Sequence, residues 1–190
     1  MMPTTSATAA AGVDRDARGS SRCERAWVVL ETVLDPEVPA LSIVDLGIVR
    51  EVIERDDGML ELALTPTYSG CPATEVIEAD ALAALDAAGL GPARVVMRRA
   101  PAWTTEWISV EGKRKLREYG IAPPAHLSAG EARSTPRPMK FFPRHAMTSP
   151  ACPHCGSART ERLSAFGATA CKSLHRCLDC REPFEYFKPI

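Results

Sequence analysis

The spacing of apolar residues over the first 122 positions predicts helices that alternate with strands. Apolar side chains recur at helical spacing in three segments, each of which ends at a proline or a glycine: residues 22–34, 72–88 and 110–119. Strand patterns fill the intervals: residues 47–55, 59–65 and 93–99. The pair Asp57-Gly58 is a hairpin signal between the first two strands, and alternation in the second predicts that it is half-buried. The order α-β-β-α-β-α predicts an α+β fold, a small α/β sandwich with helices packed on a mixed sheet.

The last forty residues show a different pattern, in which cysteine pairs take the place of amphipathic segments. Cys152-Pro-His-Cys155 and Cys177-Leu-Asp-Cys180 lie 21 residues apart. Segments of strand length accompany them: residues 159–166, 169–176 and 185–188. Each CxxC turn can present two sulfurs to one ion, so that two turns complete a tetrahedron. A module of about forty residues buries too little surface to be stable alone, which makes a bound metal physically necessary.

We therefore predict a C-terminal, four-cysteine, zinc-ribbon-like module with these ligands: Cys152, Cys155, Cys177 and Cys180. The favoured interpretation is a closed zinc site that only folds the ribbon. A rubredoxin-like iron centre or an iron–sulfur cluster stays open, because four thiolates also suit those groups. His154 and His175 are further potential ligands, although four cysteines already fill a tetrahedron. Cys171 is either a buried spare cysteine or a fifth sulfur that shares or transfers an ion.

Composition and charge are those of an ordinary globular protein and exclude several classes. The hydrophobic fraction is 45%, the charged fraction is 25% and the net charge is −1, so charge gives no case for a nucleic-acid partner. No apolar run approaches the roughly 18 residues of a membrane span, and the Ala/Ser/Thr-rich start lacks the apolar segment of a secretion signal. Seven cysteines without such a signal predict a reducing compartment, the cytoplasm, where paired cysteines bind metal or carry out redox chemistry.

Charge and proline content predict four parts: a disordered lead-in (1–21), an α/β domain (22–122), a proline-rich linker (123–150) and the ribbon (151–190). The first 122 residues carry 13 Lys/Arg against 19 Asp/Glu, whereas the linker carries four against one and the ribbon six against four. The linker contains six prolines and one apolar patch, residues 139–143, which is a candidate for docking on another surface.

Cys71 is the candidate functional thiol of the α/β domain. It lies in the loop Thr65-Pro-Thr-Tyr-Ser-Gly-Cys-Pro72, after a predicted strand and before a predicted helix. Free N–H groups and the helix dipole at such a position lower a thiol pKa, so we expect a reactive thiolate or a single metal ligand. The alternative is a small buried residue at a tight turn. Asp45 is either a partner carboxylate or a turn-former, and Cys23 has no predicted role.

The sequence gives little support for an enzyme. It contains no GxSxG element, P-loop, GxGxxG fingerprint or HExxH motif. A Cys71–His pair would need a histidine within the first 122 residues, but His126 is the first in the chain and lies in the predicted linker.

Three motifs resemble the iron–sulfur cluster assembly domain of the family that includes SufT: Asp35-Pro-Glu-Val-Pro39, Ser42-Ile-Val-Asp-Leu-Gly47 and Thr65–Pro72. This resemblance covers roughly residues 22–120. Three motifs in the tail resemble one branch, the PaaD family (also called PaaJ) of phenylacetyl-CoA epoxidase components: Cys152-Pro-His-Cys-Gly-Ser157, Phe166-Gly-Ala-Thr-Ala-Cys-Lys-Ser173 and Phe184-Glu-Tyr-Phe-Lys-Pro-Ile190. The resemblance to this branch spans nearly the whole chain.

The resemblance implies a non-catalytic accessory subunit of a bacterial multicomponent oxygenase for aerobic phenylacetate degradation. It implies the other subunits of the phenylacetyl-CoA epoxidase complex as partners, a function in assembling or inserting a metal centre, and transient binding of iron or an iron–sulfur cluster. Cys71 matches the family's functional cysteine, Asp45 its acidic position and Cys171 a position of the branch. Two other hypotheses are a structural subunit with a zinc-stapled docking ribbon and an electron-transfer protein with an iron centre in the ribbon. Homodimerisation through a sheet edge is a further hypothesis.

Overall fold

The computed structural model describes residues 21–68, 70–125 and 149–190. The elements in these ranges are α1 (Ser21–Leu30), β1 (Val49–Glu54), β2 (Leu60–Leu64), α2 (Thr74–Ala87), β3 (Ala93–Met97), a 3₁₀ turn (Thr105–Trp107), α3 (Val110–Glu118), β4 (Ile121–Ala122), β5 (Thr160–Ser164), β6 (Lys172–Cys177) and β7 (Pro183–Phe187). The predicted α+β class and order are confirmed, with β4 as an addition. Three predicted segments lie outside the described residues: the lead-in apart from Ser21, most of the linker, and the patch at 139–143.

Within the described α/β part, β1, β2 and β3 form a mixed sheet in that order. β1 runs antiparallel and β3 parallel to β2. α1 packs on β1, α2 packs on β3, and the two helices touch each other. They therefore cover one face of the sheet, where alternate leucines of β2 are fully buried. The predicted hairpin turn is confirmed, since Gly58 has a φ of +78° and its N–H bonds to the carbonyl oxygen of Arg55.

Strand β2 is buried on both faces, so the expectation of a half-buried strand was wrong. Glu61 points away from the helices, yet it is only 5% exposed. Its carboxylate pairs with Arg55 and Arg94, and these two side chains lie over the second face of the sheet. The paired arginines also hold the pKa of Glu61 at about 2, so that it stays ionised.

The second sheet joins the ribbon to the α/β part. Its strand order is β4-β7-β6-β5, with β4 parallel to β7 and the other neighbours antiparallel. Phe187, at the end of β7, is 1% exposed in the same core as the α/β helices, and its ring centroid lies 6.1 Å from that of Trp103. The predicted division into four parts stays a prediction, and these contacts cross its boundaries.

Within the described ranges, no helix combines the length and the apolar character that a bilayer crossing requires.

Candidate metal and thiol sites

The sulfur atoms of the four predicted ribbon ligands lie together, all within 4.8 Å of one another: Cys152, Cys155, Cys177 and Cys180. The Cys152–Cys180 sulfur distance is 3.7 Å and the Cys155–Cys177 distance is 3.5 Å. Four sulfurs at about 2.3 Å from one zinc ion are about 3.8 Å apart along the edges of the tetrahedron. The spacing therefore fits a single tetrahedral ion. It suits a multi-iron cluster less well, because such a cluster distributes its thiolates over different irons.

The backbone at each CxxC turn explains how the sulfurs converge. After the first pair, Gly156 has a φ of +76°, and its N–H bonds to the carbonyl oxygen of Cys152 at 2.9 Å. After the second pair, Arg181 takes the same left-handed conformation with a φ of 66°. The Cys177 N–H bonds to the Glu182 carbonyl oxygen at 3.0 Å, which closes this second turn. A glycine therefore takes the left-handed position after the first turn, and an arginine takes the matching position after the second.

The environment of Cys177 favours a thiolate. Burial opposes ionisation, but the backbone N–H groups of Cys180 and Asp179 and the neighbouring Cys155 thiol outweigh it and lower the pKa of Cys177 to about 6. A thiolate in contact with three other sulfurs is the donor set that Zn²⁺ or Fe²⁺ prefers.

Neither histidine near the ribbon joins the described group of sulfurs. The His175 ring is buried, its centroid lies 5.6 Å from that of Phe184, and its Nε2 atom lies 3.0 Å from Ser173 Oγ. Burial lowers the pKa of His175, which keeps the ring neutral inside the sheet. His154 is exposed and packs beside Gly120 at the end of α3.

Cys71 is half-buried and lines a small cavity between the sheet and α2. Six of the residues around it are Asp35, Ile48, Thr67, Thr74, Ile77 and Met97. The Cys71 N–H bonds to the carbonyl oxygen of Tyr68 at 3.2 Å, and its own carbonyl oxygen accepts the Thr74 N–H at 3.3 Å. The loop therefore fixes the backbone of Cys71 on both sides, at a position that lines the cavity.

The expectation of a lowered pKa at Cys71 was wrong. Burial raises the pKa of this thiol and outweighs the backbone N–H of Ala73 and the Thr74 side chain, which lower it. The negative charges of Glu37 and Asp35 raise it further. Helix α2 begins only at Thr74, so Cys71 lies before the first turn, where the dipole is weaker. The thiol is therefore protonated at neutral pH.

Asp45 lies in a hydrogen-bonded network at the start of α3. Its carboxylate accepts Lys115 Nζ at 2.7 Å, Ser109 Oγ at 3.2 Å and the backbone N–H of Ser42 at 3.2 Å. Burial raises its pKa, but the hydrogen bonds from Lys115 and Ser42 outweigh burial and hold the pKa below the usual value. Asp45 does not line the cavity of Cys71. These contacts are those of a turn-former. The function of Asp45 as a partner of Cys71 stays a prediction.

The carboxylates beside Cys71 are instead Asp35 and Glu37, which sequence reasoning did not select. Asp35 is 6% exposed, and its Oδ1 atom accepts the backbone N–H groups of Glu37 at 2.9 Å and Val38 at 2.7 Å. Burial raises the pKa of Asp35. Both residues belong to the motif Asp35–Pro39, which carries part of the family resemblance, so the signal was present in the sequence.

Cys171 does not join the ribbon sulfurs within the described residues. It is 7% exposed in the main core, against which Cys71 also packs, and its sulfur lies 3.0 Å from Thr169 Oγ1. Burial raises its pKa, as does the charge of Glu37. The structure thus separates Cys171 from the tetrahedral group and places it in the main core.

Two family models match the chain. The PaaD zinc beta ribbon domain matches residues 136–188, and the iron-sulfur cluster assembly protein family matches residues 24–95. An Escherichia coli protein, provisionally named as the D component of 1,2-phenylacetyl-CoA epoxidase, is 45% identical over 166 residues, which are 86% of this chain and 91% of that protein.

Other relatives match only the α/β part of this chain. The Bacillus subtilis Fe-S protein maturation auxiliary factor YitW is 35% identical over 81 residues, which are 42% of this chain and 78% of that protein. The crystal structure of a domain of unknown function, DUF59, from Bacillus anthracis covers 49% of this chain and 89% of that chain, with 28% identity and a TM-score of 0.46.

Proposed function

The chain belongs to the PaaD family of phenylacetyl-CoA epoxidase components, and on this basis we propose that it is a non-catalytic accessory subunit of such an oxygenase. It assists the assembly or maturation of the iron or iron–sulfur centre of a partner subunit in aerobic phenylacetate degradation. Its partners are the other subunits of the complex. The cytoplasmic location and a homodimer through the sheet edge stay predictions.

The observation that carries this proposal is Cys71, which lines a small cavity together with Asp35 in a domain of the iron–sulfur assembly type. The residues that line the cavity include this carboxylate but neither histidine nor lysine, so the cavity lacks the Cys–His pair that activates many catalytic thiols. A protonated, half-buried thiol is unreactive toward most electrophiles. It becomes a ligand when a metal cation displaces its proton, which suits a protein that receives and releases metal.

The ribbon fits the same proposal, because its metal site would stabilise the fold. Its four sulfurs fit one tetrahedral ion, and no described histidine is needed to complete the set. We propose Zn²⁺ as the resident ion. Bound zinc supplies no redox chemistry and would stabilise the two CxxC turns. The iron or cluster that the protein handles is then its cargo, and Cys71 is the thiol that contacts it.

The test is the metal content of the partner oxygenase. The oxygenase subunits are produced with the wild-type chain, with Cys71→Ser or without the chain, and their iron is measured after purification without oxygen. We expect full loading with the wild type and a severalfold loss in the other two cases. Cys23→Ser serves as the matched control, because it removes a buried cysteine on α1 outside the cavity.

The purely structural alternative predicts a different result. The core shared between the ribbon and the α/β part would suit a rigid docking module. In that case Cys71→Ser leaves partner iron unchanged, whereas Cys155→Ser disrupts the complex. Full iron loading of the partner in the absence of this chain would contradict the maturation function. Visible absorbance that bleaches on reduction, with iron in the ribbon, would instead favour electron transfer.

A further inference from the structure

Strand β3 forms an edge of the mixed sheet, with β2 on one side and no described strand on the other. The Pro92 carbonyl oxygen accepts the Leu60 N–H at 3.0 Å, and the Arg98 N–H bonds to the Leu64 carbonyl oxygen at 2.7 Å. Backbone groups of successive residues alternate between the two sides of a strand, so the even-numbered residues of this segment face β2. The backbone groups that point outward belong to three residues: Ala93, Val95 and Met97.

These outward groups form a row of open hydrogen-bond donors and acceptors. Among the described residues, none bonds to the N–H or carbonyl group of Val95 or Met97 on this side. The side chains of Val95, Val96 and Met97 are only half-buried, whereas β2 is buried along its whole length. Natural proteins usually protect such an edge with prolines, bulges or lysines, because an open edge pairs with other extended chains. The sequence of β3, Ala-Arg-Val-Val-Met, contains no proline or lysine, and its register with β2 is regular.

The open edge lies next to the cavity of Cys71. Met97, at the end of β3, lines that cavity together with Cys71 and Thr74. Neighbouring strands lie about 4.8 Å apart, and residues opposite each other project from the same face of the sheet. A strand paired with β3 would therefore place one of its side chains beside Met97, next to the cavity.

The other face of β3 carries two arginines that indicate the chemistry of such a strand. The Arg94 side chain is 55% exposed beside Glu61, and the Arg98 side chain is 41% exposed beside Glu51. A guanidinium group has five N–H donors, so each arginine keeps donors for a second carboxylate. A second copy of β3 would bring another row of arginines onto this face, and like charges across strands are destabilising. The edge therefore fits an extended segment in which acidic residues alternate with apolar ones.

We propose that the edge of β3 binds an extended, acidic–apolar segment of the partner oxygenase subunit as an added strand. This inference rests on the proposed function and specifies the surface on which the partner docks. Backbone hydrogen bonds supply the affinity, and the acidic residues on the side of Arg94 and Arg98 select the segment. The partner residue beside Met97 lies next to the cavity, so that docking brings a side chain of the metal-receiving subunit toward Cys71.

The experiment is amide hydrogen exchange, resolved to single residues, on the full chain alone and with each oxygenase subunit. The amides of Val95 and Met97 should exchange freely in the isolated chain, because a protected amide needs a hydrogen bond that has to open first. We expect the subunit that docks to slow their exchange at least roughly tenfold. The amides of Val96 and Arg98 are internal controls, since they face β2 and should be protected in both states.

A substitution tests the same edge through the affinity for the subunit. Val95→Pro removes one outward N–H and leaves the bonds between β3 and β2 in place, which is why proline is tolerated at such edge positions. Val95→Ala is the matched control, because it shortens the same side chain but keeps the N–H. Val95→Pro should weaken binding of the subunit roughly tenfold, and Val95→Ala should weaken it clearly less. Equal affinities of the two variants would contradict the added strand.

Three results of the exchange experiment would overturn the proposal. The amides of Val95 and Met97 stay exposed in the complex, or no oxygenase subunit binds the chain, or both amides are already protected in the isolated chain. In the last case, dependence on protein concentration would identify a second copy as the occupant, and independence would identify another segment of this chain. The proposed function is judged separately, by the iron content of the partner: if iron loading depends on Cys71 while the edge stays exposed, only the docking surface is wrong.

Discussion

Phe187→Ala should destabilise the whole described fold rather than the ribbon alone. The Phe187 side chain lies on a ribbon strand but is 1% exposed in the core of the α/β part, beside Trp103. Replacement of a buried phenylalanine by alanine costs about 3–5 kcal/mol, and the lost ring pair is included in that range. The free energy of unfolding of a typical domain is about 5–15 kcal/mol, so the variant should still fold.

The assay is urea unfolding with two probes, tryptophan fluorescence for the α/β part and zinc release to a coloured chelator for the ribbon. For the wild type, we expect both probes to report one transition, because the two parts share a core. With a urea dependence of about 2 kcal/mol per molar, a loss of about 4 kcal/mol lowers both midpoints by about 2 M.

Phe166→Ala is the matched control, because it makes the same chemical change at a surface position. Phe166 is 64% exposed, and its ring lies beside the ammonium of Lys188, 4.5 Å from the ring centroid. We expect a loss of about 1 kcal/mol or less. Equal midpoints for the two variants would refute the shared core, as would a wild-type ribbon that releases zinc well before the fluorescence changes.

Three further predictions follow from single contacts. Gly47→Ala should lower the melting temperature by at least about 4 °C, because the residue has a φ of +68° and an added Cβ would lie 2.4 Å from a carbonyl oxygen of the 3₁₀ turn. Gly58→Ala, at a φ of +78° with open space around it, should lose less, and equal losses would contradict the steric argument. Asp45→Asn should cost about 1–3 kcal/mol at pH 7. Because the folded pKa of Asp45 is lowered, the stability advantage of the wild type over Asp45→Asn is complete above about pH 4 and declines as the pH falls through that lowered pKa. Urea midpoints of both proteins, measured at pH 7 and well below pH 4, will check this dependence. A stability difference that does not change with pH would contradict the pKa argument. Cys155→Ser should reduce bound metal from one equivalent to a small fraction by elemental analysis and melt the ribbon strands, and retention of metal would argue against the four-cysteine site.

Local patterns were sufficient to predict the element order and the four converging cysteines. Helix and strand periods depend on neighbouring residues, and CxxC spacing dictates that two sulfurs face one ion. The burial of Glu61 could not be predicted in this way, because it depends on Arg94 in a strand 33 residues later. Without that pairing, a glutamate in an alternating strand indicates a solvent face.

The thiol site shows a second limit of sequence reasoning. The pKa of Cys71 depends on where α2 begins and on how deeply the thiol is buried. A sequence pattern predicts a helix start only to within one or two residues, and it does not predict the burial of one side chain. The burial of Cys171 in the main core depends on contacts between the ribbon and the α/β part, which lie far apart in the chain. The motif Asp35–Pro39 is visible in the sequence, but only the folded chain shows that its carboxylates lie near Cys71.

The position of β7 in the second sheet has a consequence for the order of events during synthesis. β7 is the last strand in the chain, yet it lies between β4 and β6, and Ile121 pairs with Glu185 across more than sixty residues. Contacts of such long sequence separation form late and slowly. A ribosome-bound or truncated chain that lacks β7 therefore exposes the apolar surface around Trp103 and holds Cys171 without its anchoring strand. The core that the ribbon shares with the α/β part can therefore be completed only after the last strand has been made.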